Sequence, residues 1–100
     1  MCDCQSYNRP DLGGTSRAPA IRCDVDLLVP EDERPLVCVD ECIIPQIRAL
    51  WAHGVETKHS CCGHNRMVPD VGVAHAEAIP LAVQILRRSD SRTWRVWAYT

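Results

Sequence analysis

Three soft ligands stand within four positions at Cys61, Cys62 and His64, in the stretch SCCGHN. Thiolate and imidazole together take up zinc in preference to harder cations. The same two groups also serve nucleophilic catalysis, with imidazole as the base that activates a thiol. A closed tetrahedral site needs a fourth donor from elsewhere in the chain. Cys42 is the best placed, because it falls at the start of an expected helix, where unpaired N–H groups and the helix dipole favour the thiolate. Gly63 lets the backbone turn back sharply, so that Cys61 and His64 can face one point. Cys42, Cys61, Cys62 and His64 are therefore the expected ligands, and zinc the expected metal. Neighbouring residues on a regular strand point to opposite faces, so Cys61 and Cys62 both ligate only where the strand has ended. Cys38, His59 and His75 are the substitutes, together with Cys2 and Cys4, a C-x-C pair near the amino terminus. No C-x-x-C knuckle and no ferredoxin spacing occurs.

The elements that must position these groups are legible in the apolar pattern. AIRCDVDLLV alternates, with Ile21, Cys23, Val25 and Leu27 on one side, the period of a half-buried strand. The turn PEDERP leads into LVCVD, so the two runs are expected to pair as an antiparallel hairpin. Asp40 stands as an N-cap before ECIIPQIRALWAHG, where Ile43, Ile47, Leu50 and Trp51 recur at helical spacing and Gly54 supplies the stop. Pro45 fits only if the regular helix begins close to it. VETKHSC reads as a strand, GHNRMVPD as a loop, VGVAH as a short strand, AEAIPLAVQILRRS as a second helix and TWRVWAY as a last strand.

That order gives a small α+β fold, a ferredoxin-like or split β-α-β sheet with two helices. It occupies residues 20–100 as one domain behind a flexible tail over residues 1–19, which is rich in Pro, Gly and Ser. A right-handed crossover from LVCVD through the first helix to VETKHSC would set those strands parallel, with Cys42 and Cys61 at the same edge of the sheet.

A chain of 100 residues with seven cysteines has one modest core and reason to use a metal as a staple. No apolar run resembles a signal peptide or a membrane span, which needs about 20 residues. The expected setting is a reducing cytoplasm, where cysteines serve metals or chemistry more than cross-links. An odd number of cysteines also cannot pair off within one chain. A formal charge of −2 and no basic block beyond Arg87 and Arg88 argue against nucleic acid. Arg92 and Arg95 interleave with Trp94, Trp97 and Tyr99, a pattern able to stack bases, but one that also fits a strand with one buried and one solvated face.

VDECIIPQIRALWAHGVETKHSCCGH resembles a family of small, mostly uncharacterised proteins of bacteriophages and some bacteria. In that family an acidic strand end, a helix, a glycine and a G-[VIY]-x-T-x-x-[SC]-C-[CS]-G-H segment recur. The matching positions are Asp40, Gly54, Val55, Thr57, Cys61, Cys62, Gly63 and His64, within residues 39–64. The resemblance implies a compact α+β fold and metal binding, and carries no activity with it.

Enzymatic readings meet obstacles. The phosphatase loop H-C-x5-R fails on spacing, since Arg66 lies five after Cys61 and four after Cys62 where six is needed. A Cys-His nucleophile built from Cys61 with His64 or His59 needs an orienting group, for which Asp40 and Asn65 are available. A metal-dependent hydrolase needs an open zinc position and a general base such as Glu41 or Glu77. The expectation is a zinc-stapled accessory protein of phage type. It would act by binding a protein partner, with Trp94, Trp97 and Tyr99 as an interface or as an edge that pairs with a second copy.

Overall fold

A computed structural model of the chain describes residues 19–25, 28–63 and 67–100. Residues 1–18 with Cys2 and Cys4, and the expected ligand His64 with Asn65, lie outside the described residues. The fold is α+β. Strand β1 (Ala20–Arg22) is followed by a 3-10 turn (Glu31–Glu33), strand β2 (Leu36–Cys38), a second 3-10 turn (Glu41–Ile43) and helix α1 (Ile44–Ala52). Strands β3 (Thr57–Cys61) and β4 (Asp70–Val73), a 3-10 turn (Ala76–Ala78), helix α2 (Ile79–Ser89) and strand β5 (Arg95–Ala98) complete it.

β1 and β2 form the expected antiparallel hairpin, with Ile21 opposite Val37. The first strand is shorter than its pattern, because the chain bends at Val25 after Cys23 has made a last ladder-like bond to Pro35 O (2.9 Å). Cys23 is nevertheless buried, and Ile21 and Val25 pack against the core as the alternation requires. Among the described residues β2 and β3 are not paired. The strands divide into one sheet of β1 and β2 and another of order β3-β4-β5. A bulge between Thr57 and His59 irregularises β3, and such bulges interrupt pairing at sheet edges. The parallel crossover of this fold is β4-α2-β5, with Val71 opposite Val96.

Both helices begin with a proline in the first two positions, Pro45 and Pro80, where the missing N–H is an orphan in any case. The α1 stop follows from Gly54, whose φ of +79° is open to glycine at little cost. There the Gly54 N–H donates to Trp51 O (2.9 Å) and the Val55 N–H to Leu50 O (3.0 Å). Val55 and Leu50 are both buried, so a Schellman motif and its hydrophobic contact close the helix. Ile43, Ile47, Leu50 and Trp51 from α1, with Ala82, Ile85 and Leu86 from α2, bury against Val71 and Val73 of β4. Each large side chain so buried contributes roughly 1.5–3 kcal/mol. No helix among the described residues is long and apolar enough to cross a membrane.

Candidate metal centre

The carboxyl ends of β2 and β3 do meet, although no ladder joins them. Asp40 follows β2 and is only 5% exposed, and its Oδ2 accepts the N–H of Cys62, the residue after β3, at 2.9 Å. Asp40 was expected as an N-cap, yet its side chain makes no capping bond to the 3-10 turn that it precedes. A buried carboxylate must find strong donors. Its bond to the Cys62 N–H bridges 22 residues of sequence where a cap would have served one local turn. This tie brings Cys42, two residues beyond Asp40, and Cys61, one before Cys62, to the same edge of the molecule.

Cys61 ends β3, opposite Asp70. It is half-buried, and its Sγ accepts the Gly63 N–H at 3.4 Å. Gly63 has φ of +80°, and a Cβ there would stand 3.0 Å from Val68 O, so no other residue fits this turn without displacing backbone. The Met67 N–H donates to Gly63 O at 3.1 Å. Cys62 faces a different environment, 3% exposed among the core residues. The adjacent thiols are thus separated, one at the edge and one in the apolar interior.

Cys42 sits in the 3-10 turn before α1, as the position of Pro45 requires, and packs partly against the core. The Arg92 guanidinium lies close enough to Cys42 for the charge of each to act on the other. Arg92 is anchored by Asp90, through Nε to Oδ2 (2.9 Å) and a second guanidinium nitrogen to the same oxygen (2.8 Å). Trp94 Nε1 and the Arg92 N–H also donate to this carboxylate. Burial pushes the Asp90 carboxyl up, but these donors outweigh it and leave the group below its usual range. The bond to Asp90 likewise raises Arg92, so its positive charge is secure beside Cys42. A fixed guanidinium favours the thiolate, the form that binds metal.

The structure thus brings Cys42 and Cys61 to one edge and holds each beside hydrogen-bond donors. Among the described residues no three His, Cys, Asp or Glu side chains are gathered to hold a metal ion, so Cys42, Cys61 and Cys62 do not form a three-thiol set. The substitutes stand elsewhere. Cys38 is exposed on β2, His59 lies beside Asp70 (3.5 Å), and His75 is hydrogen bonded to the Thr100 hydroxyl (3.0 Å). Sequence reasoning did not find Arg92 as the partner of Cys42. The D-x-R spacing after a helix announces the local Asp90–Arg92 turn, but nothing in it points to a cysteine fifty residues earlier. Against protein-family models, curated proteins and solved structures, this chain finds no match.

Proposed function

We propose that the protein is a small zinc-binding accessory domain, of the bacteriophage type that residues 39–64 resemble, which acts by binding a protein partner. Zinc is held by Cys42, Cys61 and His64, and a closed site takes Cys62 as fourth donor by turning its thiol out of the core, where it lies in this structure. The observation that carries this reading is the Asp40 to Cys62 bond. It fixes the turn holding Cys42 against the strand end holding Cys61, and these thiols sit beside an arginine and a backbone N–H respectively. Both surroundings lower the cost of a thiolate, and two thiolates with an imidazole suit zinc.

A second reading is favoured by the burial of Cys62. With that thiol in the core, three donors remain and the fourth position is open. A water there, with Glu41 as base, would make the protein a metal-dependent hydrolase.

The test is metal content of protein purified without added metal, alongside Cys42→Ser, Cys61→Ser and His64→Ala. One zinc per chain is expected, lost in each variant together with thermal stability, because a structural metal contributes directly to folding. No metal, with stability indifferent to all three changes, removes the proposal. Cys62→Ala divides the two readings. A closed site loses its metal, whereas an open site keeps it, and the cobalt-substituted protein shows one fewer thiolate bond than a closed site would.

A further inference from the structure

Strand β5 is the outer strand of its sheet, and among the described residues only one side of its backbone joins a ladder. Arg95 and Tyr99 donate their N–H groups towards β4, to Pro69 O (2.9 Å) and Val73 O (3.1 Å). Backbone groups alternate along a strand, so Val96 and Ala98 turn their N–H and C=O groups the other way. No strand among the described residues covers that side. The side chains of Val96 and Ala98 are only half-buried against the core. Beside them, on the helix side, lies a cavity of about 300 Å³ whose lining is mixed, with Val83, Leu86, Trp94 and Val96 on its apolar part and Arg87 and Asp90 among its polar residues. An apolar strand edge of this kind is a template for a further strand.

We propose that the strand added there is β5 of a second copy of this chain, giving a symmetric dimer with a continuous six-stranded sheet. A twofold axis perpendicular to the sheet sets the two β5 strands antiparallel. Pairing the outward groups of Val96 with those of the partner's Ala98 puts Trp97 at the axis and Arg95 opposite the partner's Tyr99. On the face away from the helices this register is self-complementary. Arg95 and Tyr99 are both exposed, and a guanidinium beside a phenol ring is an attractive cross-strand pair that the symmetry makes twice. The axis itself is uncrowded, because Trp97 folds back over β4. Its ring lies so close to Gly72 that a Cβ there would stand 2.7 Å away, and its Nε1 donates to Asp70 (3.1 Å). Tyr99 packs on the same ring at 4.8 Å between centroids, which holds it in place for the partner's arginine. Sliding the pairing by four residues would instead set Arg95 against its own copy, like charge on like.

This inference is independent of the metal site, and its test keeps the two apart. The mass of the full chain is measured by light scattering over a wide range of concentration, in excess reductant, with and without a strong chelator. Twice the 11.2 kDa of the chain is expected in both buffers. A dimer that dissolves on chelation or reduction is a metal or disulfide bridge and overturns the proposal, as does a single chain throughout. Ala98→Pro removes an outward N–H that the β4 ladder does not use, a change tolerated at a sheet edge. It is expected to give a folded single chain whose melting temperature no longer rises with protein concentration as the parent's does, and a persistent dimer would overturn the register. If this variant fails to fold, Arg95→Glu replaces it. It too is expected to be a single chain, with the dimer restored by adding Tyr99→Lys, and failure of either expectation overturns the pairing.

Discussion

Trp51→Ala is expected to cost about 3–5 kcal/mol of folding stability, the range for removing a large aromatic side chain from a core. Trp51 is 1% exposed, in the last turn of α1, and its Nε1 donates to the Thr57 hydroxyl at 2.9 Å. Thr57 is itself buried at the start of β3. The substitution therefore leaves a cavity and also an unpaired buried hydroxyl, so the upper part of the range applies. Small domains have about 5–15 kcal/mol in total, so the loss is a large share of what is available. In urea, with a slope of about 2 kcal/mol per molar, the midpoint should fall by roughly 2 M. Thr57→Val separates the two contributions. It keeps the packing, orphans the indole N–H and should cost about 1–3 kcal/mol. A midpoint for Trp51→Ala within a few tenths molar of the parent would show that this side chain does not organise the core.

Asp40→Ala is expected to cost about 2–3 kcal/mol, because a hydrogen bond to a charged acceptor is among the stronger kind and its loss strands the Cys62 N–H. The consequence is local as well as global. Without the tie, the turn that carries Cys42 and the strand end that carries Cys61 lose the hydrogen bond that links them across 22 residues, so metal affinity should fall along with stability. Asp40→Asn keeps an acceptor oxygen of the same shape and should recover part of both. Equal behaviour of the alanine variant and the parent, in denaturant and in metal titration, would remove the tie from the account.

Much of the fold was legible because its signals are local. The α1 stop at Gly54, the first-turn prolines Pro45 and Pro80, and the apolar sides of both helices follow from conformational limits and periodicity that the chain carries in every window. The β1–β2 hairpin was legible as well, but the partner of β3 was not. β2 to β3 is a parallel crossover by length, yet the two strands lie in different sheets, and the three-residue length of β2 leaves no mark in the hydrophobic pattern. The candidate site shows the same division. Asp40 reads as an N-cap, but its side chain makes no capping bond and its carboxylate accepts instead an N–H 22 residues away. The separation of Cys61 from Cys62 follows from strand alternation, whereas the Arg92 beside Cys42 is a tertiary contact that no local rule encodes.

The division of five strands into two sheets bears on how the molecule opens. The β1–β2 hairpin has three residues in each strand, and an isolated pair of that size is marginal in water. Its attachments to the rest are apolar packing, through Ile21, Cys23, Val25, Val37 and Val39, and the Asp40 bond, rather than a shared ladder. The hairpin is therefore expected to open as a separate unit, its amides exchanging with solvent before those of β3, β4, β5 and α2 in native-state hydrogen exchange. Asp40 sits at the boundary of the two units, so whatever tightens that residue's surroundings raises the protection of the hairpin first.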